Sequence, residues 1–258
     1  MSPRKSFEQR LEQLRSTLIA MSELVEQELS TAMDALERKD VELAQEVFAM
    51  DERVNNLRYD NERTALLLIS TQQPMARDAR FILASLFMNV ILERMGDKAK
   101  SVAKAIPYIL QRPNLTISPE LRQMADMGQA MLRDAMQAYA AEDVTLALQV
   151  AARDDDVDQL YGETFFSVLA RMAKTKKPDK VEAIYELMRI ARDLERFADY
   201  ATDLAERVDF MVTGQLAEVN VDEWEEVRAS AEEERAALAA LKAARKAKKA
   251  EAESASDT

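Results

Sequence analysis

The stretch DVELAQEVFAMDERVNNL at 40–57 returns as DVTLALQVAARDDDVDQL at 143–160. Nine identities, from Asp40/Asp143 through Asp51/Asp154 to Leu57/Leu160, share one offset of 103 residues. The same offset pairs Met21 with Met124, Leu29 with Leu132 and Met33 with Met136. Further on, with the offset one shorter, ILERMGDKAKS at 91–101 matches DLERFADYATD at 193–203. A chain that repeats itself over this length is built from two copies of one structural unit, so each motif has a counterpart with which it can be compared.

Each unit reads as three helices. Only 4 Gly and 6 Pro interrupt 258 residues rich in Ala, Leu, Met, Glu, Arg and Gln, all good helix formers. Helices are predicted at about 5–38, 41–71, 75–110, 119–141, 143–174 and 180–213. Asp40 and Asp143 are N-caps, and the breaks fall at QQP 72–74, the proline-containing 106–120, KTKKP 174–178 and Gly214. Short connections force antiparallel neighbours. The expected fold is therefore all-α: two tandem antiparallel three-helix bundles, at 1–112 and 113–214, followed by a charged helix or tail at 215–258. The bland reading of the tail is a solvated, fraying helix. The alternative puts Lys242, Arg245, Lys246, Lys248 and Lys249 on an anionic membrane or partner.

Composition removes several chemistries. There is no Cys and no His, so disulfides, thiol catalysis, the Ser-His-Asp triad and histidine metal sites are excluded, and any metal must be held by oxygen. A formal charge of -12 argues against nucleic acid and suits divalent cations or basic protein partners. No apolar run reaches the ~20 residues of a membrane span, and the N-terminus lacks a signal-peptide core. A cytoplasmic protein is expected.

Helix 193–206, DLERFADYATDLAE, lines up Glu195, Asp199, Asp203 and Glu206 along one stripe, opposite Leu194, Ala198, Ala201, Ala205 and Val208. Like charges at i, i+4 each cost roughly 0.2–0.5 kcal/mol, so the stripe needs solvent, flanking arginines or a bound cation. Arg192, Arg196 and Arg207 stand ready as counter-ions to a solvated face.

TQQPMARDAR at 71–80, LERMGDKAKSVAKA at 92–105, ARDLERFADYATDLAE at 191–206 and VDFMVTG at 208–214, taken in this order within a duplication, resemble the PhoU phosphate-signalling regulators over residues 5–214. The resemblance implies paired three-helix bundles, no enzymatic activity, and negative regulation of the phosphate-starvation response. It also implies partners: the ATPase subunit of the phosphate ABC transporter and a membrane sensor histidine kinase, with membrane association only through them, and a homodimer. Its Glu/Asp-x-x-x-Asp motifs, which can bind multinuclear metal clusters, fall on Glu93 and Asp97 in the first half and on Glu195 and Asp199 in the second. The second helix of each half adds Asp51, or Asp154 and Asp158. With Asp203 of the stripe, these carboxylates suit divalent or ferric ions: Fe, Zn, Mn or Mg.

The halves are unequal. Asn55 stands opposite Asp158, Ile91 opposite Asp193 and Ser101 opposite Asp203, while Lys100 and Lys104 project onto the first stripe. Their ammonium groups can neutralise Glu93 and Asp97 and repel a cation, so the second half is expected to hold the stronger site. Arg77, Asp78 and Arg80 form a candidate partner-docking element, with helix initiation by Pro74 and capping by Gln72 and Gln73 as the simpler alternative. Gly96, opposite Ala198, is expected to allow close helix approach. Rival functions are an accessory subunit of a low-affinity phosphate permease, or a carboxylate-only metal-storage or redox protein.

Overall fold

The protein was analysed as a computed structural model that describes residues 3–112, 114–175 and 177–215. The predicted tail helix and its basic cluster lie outside the described residues. The described residues all fall within one compact unit, Met1–Ala217.

Seven helices occur among them: α1 Pro3–Arg38, α2 Val41–Gln72, α3 Arg77–Leu110, α4 Pro119–Ala141, α5 Val144–Ala151, α6 Asp154–Lys174 and α7 Pro178–Thr213. Both predicted aspartate caps are made. Asp40 Oδ1 accepts from the amides of Glu42 (2.9 Å) and Leu43 (3.2 Å), and Asp143 Oδ1 from that of Leu146 (3.1 Å). Gly214 ends α7 in the left-handed region at φ 79°, its amide bonded to the Phe210 carbonyl.

Three expectations need correction. The single helix over 143–174 is two helices, broken at Ala152 and Arg153. Asp154, Asp155 and Asp156 form the first turn of α6, where the positive end of the helix dipole favours them; in the middle of a continuous helix the same run would repel itself. The break expected from 106 starts instead at Gln111, because α3 continues through Pro107 to Leu110, where the predicted helix also ends. Finally, Pro74 does not open α3. The cap is Ala76 at φ 48°, and Gln73 closes α2 through its own left-handed backbone at φ 48° rather than by a side-chain bond.

In the first repeat α1, α2 and α3 pack on one another; in the second α4 and α7 pack together and are covered by α5 and α6. The repeats join through α3 with α7 and α1 with α4. These are equivalent helices, so the joint has the character of a two-fold interface built within one chain. Gln129 stands at the repeat position of Glu26, and its side chain donates to the Glu26 carbonyl at 3.0 Å. Met21, Val25, Leu29, Met33 and Leu36 of α1 are buried with Met124, Met131, Leu132 and Ala135 of α4 in one continuous core, each large side chain contributing about 1.5–3 kcal/mol by its removal from water.

Polar contacts pin the same joint. Arg15 of α1 lies 4.8 Å from the Phe81 ring centroid and donates to the carbonyls of Tyr139 and Ala140. Buried Tyr139 stacks on Phe81 and shares a 2.9 Å hydrogen bond with Ser85. Asp193, on α7 but off its acidic stripe, enters the joint, where Lys98 (3.2 Å) and Ser101 (2.6 Å) of α3 both donate to it.

Candidate metal centre

Helix α7 aims its stripe at α6, whose Asp158 remains exposed. Glu195, Asp199 and Asp203 are half-buried, and the opposite residues Leu194, Ala198, Ala201, Ala205 and Val208 are fully buried. Asp158, one turn into α6, meets Glu195 and Asp199, so that one carboxylate oxygen from each lies within 4.8 Å of the other two. Two oxygens on opposite sides of one ion bonded at ~2.1–2.5 Å are ~4.2–5 Å apart, so this spacing matches a shared cation.

The electrostatics run in the same direction. Burial, and then the charges of Asp199 and Asp158, push Glu195 up to about 7 against the pull of Arg196 and Arg192. Burial pushes Asp199 up to about 6; Arg196 lowers it, while Asp158 and Asp203 raise it. Asp203 is raised mainly by burial, with Arg207, Arg196 and Arg94 opposing. Arg196 donates to Asp199 at 3.0 Å, so the counter-ion alternative accounts for part of the stripe. It leaves Glu195 Oε2 buried with no hydrogen-bond partner. A buried carboxylate oxygen without a donor costs about 1–3 kcal/mol or more, and a cation removes that cost. The donors are all oxygen, which suits Mg, Mn or ferric iron and leaves Zn or Fe²⁺ possible through carboxylate alone.

Of the other residues expected at this site, Asp154 is buried at the first position of α6, one turn before Asp158, and Asp203 lies one turn beyond Asp199. Both flank the three-carboxylate group and are not part of it.

In the first repeat the same positions are spoken for. Lys100 donates to Asp51 Oδ2 at 2.5 Å, and Asn55 donates to the same oxygen at 3.2 Å. Arg58 of α2 donates to Glu93 Oε1 at 2.7 Å. The partners differ from those expected: Lys100 takes Asp51 rather than Glu93 or Asp97, Glu93 takes Arg58, and Lys104 and Asp97 face outward. Among the described residues no three carboxylates gather in this repeat as they do in the second.

Two residues here escaped the sequence reading. Arg58 stands at the position of Tyr161, two turns after Asp51, and only the packing of α2 on α3 reveals its partner. Glu28 of α1 is completely buried, and neither of its carboxyl oxygens has a hydrogen-bond partner. Burial pushes it up to about 9; Asp51 and Asp97 add to the rise and Lys100 offsets part of it. A signal existed, since Glu28 sits on the apolar seam of Met21, Val25, Ala32 and Ala35, at the repeat position of Met131. Gly96 makes room for it: a Cβ there would lie 3.0 Å from Glu28 Oε2 and 3.5 Å from Val54.

Two of the candidate docking residues, Arg77 and Arg80, also have internal partners. Arg77 pairs with Glu142, which Arg15 also holds at 3.1 Å, and Arg80 Nε donates to the Met211 carbonyl at 3.4 Å. The turn before α3 is thereby tied to the second repeat. Met75 at its tip is strongly exposed.

The PhoU domain model matches this chain twice, at 18–106 and 121–208. The chain is 36% identical over 211 residues, 82% of its length, to the phosphate-specific transport system accessory protein PhoU homolog of Zymomonas mobilis, covering 88% of that protein. It is 34% identical to the homolog of the same name from Caulobacter vibrioides over 212 residues, 82% of this chain and 91% of that protein. Two solved structures superpose with TM-scores of 0.76: the phosphate transport system regulatory protein PhoU from Streptococcus pneumoniae, at 28% identity over 82% of this chain and 99% of that one, and PhoU from Pseudomonas aeruginosa, at 31% over 81% and 100%. Across both repeats, in sequence and in helix arrangement, the chain belongs to the PhoU family, whose members are accessory and regulatory proteins rather than enzymes.

Proposed function

We propose that the chain is a negative regulator of the phosphate-starvation response, joining the ATPase subunit of a phosphate ABC transporter to a sensor histidine kinase from the cytoplasmic side. The observation that carries this reading is the double PhoU-domain match, one copy in each repeat, within proposed domain limits of 1–112 and 113–214. A pinned helical body suits contact signalling: the joint of α3 with α7 and α1 with α4 holds the two bundles as one surface for two partners. Among the described residues no helix is long and apolar enough to cross a membrane, so attachment at a transporter comes through a partner. Arg77, Asp78 and Arg80 are the proposed docking edge, and a homodimer is the proposed assembly.

Asp158, Glu195 and Asp199 would hold a divalent or ferric ion, with Asp154 and Asp203 available to extend the site to a second. The ion would supply positive charge to a desolvated acidic face and fix α6 against α7. No reaction is assigned to it.

The test is affinity purification of tagged protein from a phosphate-replete culture, with metal measured on the same sample. Recovery of an ABC-type ATPase subunit and a histidine kinase, reduced in Asp78→Lys, supports the adaptor. Recovery of a phosphate permease alone would instead make it a permease accessory. Fe²⁺-dependent oxygen consumption by the purified protein would favour the redox reading. Stoichiometric Fe, Mn or Zn that is lost in a Glu195→Gln, Asp199→Asn variant supports the metal centre; equal trace metal in both proteins rejects it.

A further inference from the structure

The PhoU resemblance implies metal in both repeats, yet the first repeat does not fit an ion as it stands. We infer that it carries its cations in the chain, Lys100 and Arg58 standing in place of metal, and that removing Lys100 opens a latent metal site formed by Glu28, Asp51 and Asp97.

The duplication supplies the argument. Position by position, Arg58 replaces Tyr161 and Lys100 replaces Thr202, while Asn55 replaces Asp158 and Ser101 replaces Asp203. At these four positions the first repeat has gained two positive charges and lost two negative ones relative to the second. The gained groups are in contact: Lys100 at 2.5 Å from Asp51, Arg58 at 2.7 Å from Glu93. Asp51 and Lys100 are both largely withdrawn from water, with side-chain exposures of 6% and 23%. An ammonium group in that place satisfies the carboxylate and repels a second cation, so the pair closes the site on both counts.

Glu28 shows that the ammonium fills a place shaped for more donors than it uses. Its carboxyl is completely buried beside Gly96, is coupled electrostatically to Asp51, Asp97 and Lys100, and has no hydrogen-bond partner for either oxygen. The second repeat has no such group, because Met131 occupies the equivalent position. Glu28 of α1 and Asp51 of α2 are buried within electrostatic reach of the Lys100 ammonium, and Asp97 of α3 is exposed within the same reach. Taking the ammonium away leaves two buried carboxyls and one at the surface, all oxygen donors, without the cation that offsets them. A hard divalent ion is the ligand class such a set takes. Replacement by Thr, the residue the second repeat carries, is the minimal change.

The test uses the full chain, stripped with chelator and titrated with Mn²⁺ by calorimetry, in a background where Glu195→Gln and Asp199→Asn silence the second repeat. With Lys100 intact, this background is expected to show no stoichiometric binding. Adding Lys100→Thr is expected to create a site for about one ion, and further addition of Glu28→Gln to weaken it about tenfold or more. Stoichiometric Mn²⁺ binding with Lys100 present would overturn the inference, as would a folded Lys100→Thr protein that binds none. Lys100→Gln, closer in size, gives the same reading if the threonine variant loses helical content by circular dichroism. The second-repeat site stands or falls separately, on whether the unsilenced chain binds more Mn²⁺ than the silenced one.

Discussion

The two repeats answer one physical problem in opposite ways. Each packs carboxylates between its second and third helices, where water is scarce. The first supplies lysine and arginine to the same space and pairs Asp51 and Glu93 with them. The second supplies arginine only at the rim, through Arg196 on Asp199, and leaves Glu195 and Asp199 raised and Glu195 Oε2 without a donor. After a duplication, one copy can keep a demanding site while its twin exchanges it for a permanent internal pair, and the helical frame need not change. The frame does differ in one place: α2 runs unbroken past Asp51, whereas its counterpart stops and restarts so that three aspartates open α6. Placing Asp158 in the early turns of a new helix lets the dipole bear part of the charge that lysine bears in the first repeat.

Breaking the internal pair is expected to have the largest effect. In Lys100→Met the ammonium is lost and Asp51 stays buried beside Glu28, so unfolding by urea in the absence of metal is expected to show a loss of about 2–4 kcal/mol. At the equivalent place in the second repeat, Thr202→Val removes a buried hydroxyl that has no partner and should change stability by less than about 1 kcal/mol. If both substitutions cost the same, the proposed contrast between a paired and an unpaired repeat is wrong.

A metal titration sharpens the comparison from the other side. With Mn²⁺ at a hundred times its Kd, the wild-type chain is expected to gain about 2.7 kcal/mol, and Thr202→Lys, which brings the first repeat's ammonium into the second, should abolish that gain. Both substitutions act on the same position of the repeat in opposite directions. Thermal unfolding with and without Mn²⁺ reads both.

Much of this asymmetry was legible before any coordinates. The duplication, the all-helical repeats, both aspartate caps and the unequal carboxylates follow from local chemistry and a fixed offset, which sequence displays directly. What the sequence did not display is partnership across helices. Lys100 and Glu93 lie two turns apart on α3 and look like partners, but rotation of α3 against α2 gives Asp51 to Lys100 and Glu93 to Arg58. Asp193 reads only as a carboxylate that the first repeat lacks, Ile91 standing in its place, yet it faces α3 and belongs to the joint between repeats. Glu28 was visible as a carboxylate on an apolar seam, and the restart at Asp154 as a run of three aspartates. Both signals concern single residues out of pattern, which a search for matching motifs passes over.

The repeats should also differ in how stability depends on pH. Glu28 titrates at about 9 in the folded chain and near 4.5 when unfolded, so the folded state binds the extra proton and stability falls as pH rises from about 4.5 toward 9. Glu28→Gln keeps the shape without the titration. Its advantage over the wild type should therefore grow from near zero at pH 5 to on the order of 2 kcal/mol at pH 8. Glu195 and Asp199, at about 7 and about 6, have the same sign over a lower window that ends near pH 7. Metal competes with those protons, so Mn²⁺ should stabilise the chain more at pH 8 than at pH 5.5. A Glu28→Gln advantage that stays constant with pH would mean that its carboxyl is charged throughout.

The smallest effect expected is at Lys104, and it decides which lysine matters. Both Lys100 and Lys104 project onto the first acidic stripe, and on charge alone they are interchangeable. Burial separates them: Lys100 reaches inward to Asp51, whereas Lys104 is exposed. Charges in water are screened over about 8–10 Å at ordinary salt and contribute little to folding. Lys104→Ala should therefore shift unfolding stability by less than about 0.5 kcal/mol and leave Mn²⁺ binding in the silenced background absent. Were Lys104→Ala to open the first repeat to Mn²⁺ as Lys100→Thr is expected to, closure would be a property of net charge over the whole face rather than of one buried ammonium at one carboxylate.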